Sequence, residues 1–194
     1  MKRLANFLFE VGMLKRTPRT GFQFLGSGDE SVAEHILRTV YISYVLSYMC
    51  PEADKNRLLL IALFHDFLEA RTGDLNYMNK KYNTTDEVKA MEDALEDLPF
   101  RTEVEPLFWT FWQQDTLEAK LVKDADNLEL LLQLKEQKDL GNPYADDWIK
   151  FTLQRLVTKE GKELAENILQ TDSTQWWFDK KSNWWINAKK DCEK

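Results

Sequence analysis

The 194-residue chain is poor in histidine, cysteine, glycine and proline, with 2, 2, 7 and 5 of each. Each shortage excludes something. Cys50 and Cys192 lie far apart and make no metal or redox motif, so a reduced, cytoplasmic setting is the default expectation. No clear run of alternating apolar and polar residues is present, which speaks against a sheet. No apolar stretch approaches the roughly 20 residues of a membrane span. The opening Met1-Lys2-Arg3-Leu4-Ala5-Asn6 is not followed by an apolar segment with a cleavage site, so no signal peptide is expected. Positive charge is also in deficit: 26 Lys and Arg against 33 Asp and Glu leave a net charge of −7. A chain of that sign is a poor candidate for gripping a nucleic-acid polymer. A small anion remains within reach if a metal and a few cations reverse the field locally. Two histidines, finally, limit how many metal ions the chain can hold.

What is present is ordinary for a globular protein, with 43% hydrophobic and 30% charged residues. The length suits one domain over residues 1–194, and helical periodicity dominates. The expectation is an all-α fold. A first helix should lie near residues 2–13, before the breaker-rich Lys15-Arg16-Thr17-Pro18-Arg19-Thr20-Gly21-Phe22. Ser31 followed three residues later by Glu34 reads as a capping box, starting a helix that runs to about Met49. Further helices are expected at about 52–69, 86–97, 103–113 and 116–140, with two or three more beyond Gly141-Asn142-Pro143. The run Leu58-Leu59-Leu60-Ile61-Ala62-Leu63-Phe64 is apolar on all sides, so its helix should be central and buried.

That run ends in His65-Asp66, and the other histidine, His35, opens the capped helix. Placing His65 and Asp66 at the end of a buried helix is costly unless something pairs with them. Imidazole nitrogen plus carboxylate oxygen suits a divalent ion such as Mn, Fe, Co, Ni or Zn. Glu69 shares a helical face with His65 and lies three residues from Asp66. A further carboxylate is expected from Lys123-Asp124-Ala125-Asp126. Asp124 and Asp126 point in widely different directions on a helix, and periodicity alone does not choose between them.

Taken together, these segments resemble the HD-domain metal-dependent phosphohydrolases. Glu30-Ser31-Val32-Ala33-Glu34-His35 is similar to the first motif of that family. His65-Asp66-Phe67-Leu68-Glu69-Ala70-Arg71-Thr72-Gly73-Asp74 resembles the H-D-x-x-E-x-x-x-G-D form of the branch holding the YfbR-type 5′-deoxynucleotidases and the HD-domain-containing protein 2 group. Val122-Lys123-Asp124-Ala125-Asp126 resembles V-K-x-x-D, and Arg19-Thr20-Gly21-Phe22 resembles R-x-G-W. The likeness covers about residues 1–140, with the motifs within about 15–140 and C-terminal helices over about 143–190 expected to pack on that part.

The resemblance implies a single HD domain whose buried central helix carries the His-Asp pair. It implies one divalent metal ion (Co, Mn, Fe, Ni, Zn or Mg) held by His35, His65, Asp66 and Asp126. It implies Glu69 as the carboxylate beside the attacking water, Asp74 as a second site carboxylate, proton donor or sugar contact, and Arg19 as the phosphate-binding arginine. Phe22 stands where the family often has Trp, keeping a stacking role without the indole N–H. The implied activity is hydrolysis of a nucleoside 5′-monophosphate, with deoxyribonucleotides as the natural class. The alternatives are another small phosphate or a pyrophosphorylated nucleotide, or a non-catalytic metal- or nucleotide-binding module. Phe67-Leu68 replaces the Glu-Asp step typical of alarmone hydrolases, and no histidines are left over for a second metal ion. Relatives in this branch are commonly dimers, so a homodimer is the expected assembly. Trp176-Trp177 and Trp184-Trp185 read as core or subunit packing, with Trp177 and Trp184 on one helical face. Lys80-Lys81 reads as a solvated charge pair.

Overall fold

The computed structural model describes residues 1–182 and 184–187. Cys192 lies outside the described residues; Cys50 is buried and free. Among the described residues the only β pairing is one antiparallel bridge between Pro18 and Ser31. The other regular elements are helices, as the periodicity predicts. No helix of the described residues is long and apolar enough to cross a membrane.

α1 (Lys2–Val11) continues as a 3-10 turn over Gly12–Arg16, and α2 (Phe22–Leu25) is a single turn. α3 (Val32–Met49) starts where Ser31 and Glu34 predict it. Both halves of the capping box are made: Ser31 Oγ accepts from the Glu34 N–H, and Glu34 accepts from the Ser31 N–H at 2.7 Å. α4 (Lys55–Phe64) begins at Asp54, whose side chain accepts from the N–H groups of Asn56 and Arg57. It starts three residues later than expected and stops at Phe64, well short of residue 69. Backbone bonds then shorten to an i→i+3 pattern, from Phe67 to Phe64 and from Glu69 to Asp66, leading into α5 (Glu69–Thr72). α4 is also less enclosed than its sequence suggests. Leu58, Ile61 and Ala62 are buried, but Leu63 is 49% exposed.

α6 (Tyr77–Tyr82), α7 (Glu87–Leu95) and α8 (Arg101–Gln113) lead to α9 (Leu117–Asp139), then α10 (Ala145–Leu153) and α11 (Lys159–Gln170). α9 is the spine, packing against α3, α4, α8, α10 and α11. Its buried set includes Leu121, Val122, Ala125, Leu128, Leu131 and Leu134, so apolar residues cover several faces. One apolar cluster joins α3, α4 and α9 with the C-terminal helices. A second joins α1, the start of α3, Phe67, Leu68, α7 and α8.

The expected aromatic helix at the C-terminus is different in detail. α12 (Trp184–Asn187) is short, and Trp177 precedes it in a turn, so Trp177 and Trp184 do not share a helical face. Trp177, Phe178, Trp184 and Trp185 pack against one another, mostly edge to face, at 4.6 to 5.7 Å. The four tryptophans are 40 to 86% exposed, so they are not part of the core formed by the described residues.

Asp124 shows how α9 organises its neighbours. Fully buried, it accepts from the N–H groups of Val157 and Thr158 at 2.9 and 2.7 Å and from the Thr158 hydroxyl, at the entrance to α11. Gly161 approaches so closely that any side chain there would strike the Asp124 carboxylate. Asp124→Ala should therefore cost roughly 2 to 4 kcal/mol through stranded buried donors. Urea unfolding measures this. An unchanged midpoint would show that the α11 entrance does not depend on Asp124.

Candidate metal centre

Three segments bring the expected site residues together. α3 supplies His35 in its first turns, the tightened turn after α4 supplies His65 and Asp66, and α9 supplies Asp126. His35 Nε2 lies 3.3 Å from His65 Nε2, 3.3 Å from Asp66 Oδ2 and 3.3 Å from Asp126 Oδ1. His65 Nε2 lies 3.4 Å from Asp66 Oδ2. On a continuous α-helix His65 and Asp66 would diverge by about 100°. Both nonetheless reach one point, His65 Nε2 from the last turn of α4 and Asp66 Oδ2 from the turn that follows. Asp126 faces this cluster while Asp124 is spent on α11, so geometry separates the two carboxylates that periodicity leaves open.

The outer ring nitrogens decide what the inner ones present. His35 Nδ1 donates to Glu129 Oε2 at 2.8 Å, and His65 Nδ1 donates to the Ala62 carbonyl at 2.8 Å. In a neutral ring each Nε2 is then a bare acceptor. Two such lone pairs and two carboxylate oxygens crowd one spot with no donor of their own between them. Ligands about 2.1 Å from a shared ion sit roughly 3.0 to 3.4 Å from one another, and the four separations given above match this. The donor set and its spacing therefore fit the divalent metal that the sequence implies. Protons compete for the same place. Burial and Arg19 push His35 towards neutrality, but Asp126, Asp66 and Glu129 overcome them and hold its pKa well above the usual value. Burial would raise the carboxyl of Asp66, yet His65 and His35 hold it well below the ordinary range. Lys123 and His35 do the same for Asp126, with Lys123 Nζ 2.8 Å from Asp126 Oδ2.

The loop before α3 brings in Arg19. The Arg19 N–H donates to the Glu30 carbonyl at 2.8 Å, and the Val32 N–H donates to the Thr17 carbonyl at 2.9 Å, on either side of the Pro18–Ser31 bridge. The guanidinium then lies 3.5 Å from Asp66 and 3.9 Å from both Asp74 and Glu30. Burial opposes its charge, but Asp66 and Asp74 prevail and raise its pKa further. Asp74 also anchors this loop, accepting from the Thr20 N–H at 2.8 Å through its carboxylate and from the Thr20 hydroxyl at 2.8 Å through its carbonyl. Phe22 is held in place by the close approach of Gly28. Gly28 has φ +80°, and a side chain there would collide with the Phe22 ring.

Glu69 is the unpaired member. Its Oε2 is buried without a hydrogen-bond partner. Burial, then Asp66 and Asp74, push its carboxyl up to about 9. Arg19, Phe22, Asp66, Glu69, Asp74 and Asp126 all line one cleft of about 380 Å³. Trp148, Tyr77, Lys80, Lys123 and Arg155 line it too, and Arg155 lies 5.5 Å over the Tyr77 ring. The Lys80-Lys81 pair is thus divided. Lys80 faces the cleft, while Lys81 is exposed and lines no part of it.

Glu129, Arg38 and Glu30 complete the surroundings and stand outside the expected set. Glu129 is held at about 2 by His35 and Arg38 against its burial, while burial and Glu129 push Glu30 up to about 7. Glu129 had one sequence signal, its place one turn after Asp126 on the same face. Trp148 and Arg155 come from the region where the family likeness is weakest.

Glu69 yields a prediction for metal-free protein. Its folded-state pKa of about 9 exceeds the unfolded value of 4.5, so folding takes up a proton between these limits. Stability of the wild type should fall as pH rises through that window. Glu69→Gln removes the dependence, so its gain in melting temperature in chelator should be larger at pH 8 than at pH 5. A gain independent of pH would show that Glu69 is not held protonated.

The chain resembles known proteins over most of its length. An HD domain profile matches residues 11–171. A Homo sapiens protein named 5′-deoxynucleotidase HDDC2 is 34% identical over 145 residues, covering 72% of this chain and 70% of its own. The 5′-deoxynucleotidase hdd1 of Schizosaccharomyces pombe is 31% identical over 177 residues, covering 76% and 87%. A conserved hypothetical protein from Pyrococcus furiosus superposes with a TM-score of 0.74 at 30% identity, over 86% of this chain and 99% of its own. With its motifs meeting at one buried point, the chain belongs to the HD domain family.

Proposed function

We propose that this protein is a metal-dependent phosphomonoesterase that hydrolyses nucleoside 5′-monophosphates, deoxyribonucleotides in particular, to nucleoside and phosphate. The observation that carries the proposal is the meeting in one cleft of Asp66 and Asp126, which reach the buried histidines, with Glu69, whose Oε2 is unpartnered, and the Arg19 guanidinium. The names of the relatives point to the same substrate class.

His35, His65, Asp66 and Asp126 would hold the metal. Two imidazole nitrogens beside two carboxylate oxygens favour a first-row ion such as Mn, Fe, Co, Ni or Zn over the oxygen-preferring Mg. When bound, such an ion supplies Lewis-acid activation of water and neutralises phosphate charge. Arg19 offers a planar fork to phosphate oxygens and orients the ester for in-line attack. Asp74 steadies Arg19 through the loop backbone, which assigns it a positioning part in preference to proton donation. Glu69 accepts a proton from the attacking water. The carboxylates that keep Glu69 protonated include Asp66, a group the cation would engage, so the loaded site favours the basic form. The bond between phosphorus and the 5′ oxygen breaks as the new P–O bond forms, and the leaving oxygen takes a proton from solvent while Glu69 later releases the one it accepted, giving nucleoside and phosphate.

The rest of the cleft suits a nucleotide. Four cationic and five acidic side chains line it, so one divalent ion turns the balance positive. Phe22, Tyr77 and Trp148 provide aromatic surface for a base or sugar. A non-catalytic module would gain nothing from a buried, unpartnered Glu69.

Release of inorganic phosphate from a panel of nucleoside monophosphates, with Mn, Co or Mg added, tests the proposal. Glu69→Ala should lose at least about 100-fold in kcat while keeping its metal content. Metal-loaded protein that hydrolyses no phosphate ester would end the reading. Arg155→Ala should raise KM severalfold with a smaller change in kcat; an unchanged KM would remove Arg155 from the binding surface.

A further inference from the structure

Glu129 sits on α9 with both carboxylate oxygens committed. Oε2 accepts from His35 Nδ1 at 2.8 Å. Oε1 accepts twice from Arg38, from Nε at 2.9 Å and Nη2 at 2.7 Å. The remaining guanidinium nitrogen of Arg38, Nη1, donates to Glu136 at 2.7 Å, which locks the arginine. The Glu129 side chain is 1% exposed and that of His35 0%. Glu30 approaches both, and its Oε1 accepts from Gln133 at 2.7 Å.

The place calls for a group that accepts on both sides at once. A carboxylate does so; an amide has an oxygen on one side and a donor on the other. Two flanking donors, His35 Nδ1–H and the Arg38 fork, therefore read the identity of residue 129. Metal-ligating histidines commonly rely on such an outer partner to fix their orientation and tautomer.

We propose that Glu129, held by Arg38, is a positioning residue that keeps the proton of His35 on Nδ1 and its Nε2 lone pair turned to the cation, and so sets the affinity of the site. This rests on reading the four-acceptor cluster as a cation site. It assigns Arg38 a role too: the arginine makes the site intolerant of an amide. In Glu129→Gln the amide oxygen is drawn to the two N–H groups of Arg38. The amide NH2 is left facing His35 Nδ1. The ring then shifts its proton to Nε2, inside the cluster, where it opposes metal binding. Replacing Arg38 as well frees the amide to turn its oxygen to His35. A second lesion is thus expected to repair the first.

The test uses Zn(II), which is diamagnetic, with dissociation constants measured by competition against a chromophoric chelator. Glu129→Gln should bind at least about tenfold more weakly than wild type. The double variant Arg38→Met/Glu129→Gln should recover most of that loss, with circular dichroism checking the fold of each. A general stabilising role for the pair predicts the reverse, with the double variant weakest. Equal affinity of Glu129→Gln and wild type, or a double variant no better than the single one, overturns the proposal. The wild type provides a measurement that needs no variant to fold. With two imidazoles in the chain, long-range 15N–1H spectra of Zn-loaded protein resolve each ring. The His35 proton should be on Nδ1, and finding none there overturns the proposal. A wild type that binds no Zn(II), Mn(II) or Co(II) contradicts the underlying cation reading instead, and is distinguishable because it needs no comparison with a variant.

Discussion

Four acceptor groups crowded into one buried spot are the constraint on which the rest depends. Two imidazole lone pairs and two carboxylate oxygens lie within about 3.4 Å of their neighbours. Desolvation penalises each charge, and their mutual repulsion adds to it. Only positive charge at the centre makes the arrangement favourable, whether protons or a metal ion. This accounts for the direction in which His35, Asp66 and Asp126 are displaced from their ordinary pKa values. It also makes affinity for a cation pH-dependent, because the two kinds of positive charge exclude one another.

Much of the fold serves to hold those groups against that repulsion. The capping box sets where α3 begins and hence where His35 points. The end of α4 and the turn after it carry His65 and Asp66, whose side chains meet at the cluster. α9 fixes the third wall, with Asp124 and Asp126 divided between tying down α11 and facing the histidines. Beyond this wall, Glu129 and Arg38 carry the constraint outward, so the buried site ends in a half-exposed ion pair with Glu136. The substrate side is built differently. Arg19 and Phe22 arrive on a loop held by one β bridge, by Asp74 and by Gly28.

Local signals were legible in the sequence where local chemistry decides the outcome. Ser31 with Glu34 marks the start of α3 because the capping box is made within four residues. The motif residues could be named because their segments resemble those of the HD-domain family; spacing alone left Asp124 and Asp126 open. Three things were not legible. α4 ends at Phe64 although the helical pattern runs on to about residue 69, and apolar periodicity does not report that end. Glu129, Arg38 and Arg155 act through contacts between segments far apart in sequence. The tryptophan pairs are apolar by composition, yet among the described residues they stay 40 to 86% exposed.

Anomalous diffraction from crystals grown with Mn(II) tests the central claim most directly. The account predicts one peak, ligated by His35 Nε2, His65 Nε2, Asp66 and Asp126, with no ion between Glu30 and Glu129. An ion at the Glu30–Glu129 pair, or an empty His35–His65 cluster in a crystal that holds Mn(II) elsewhere on the protein, would contradict it.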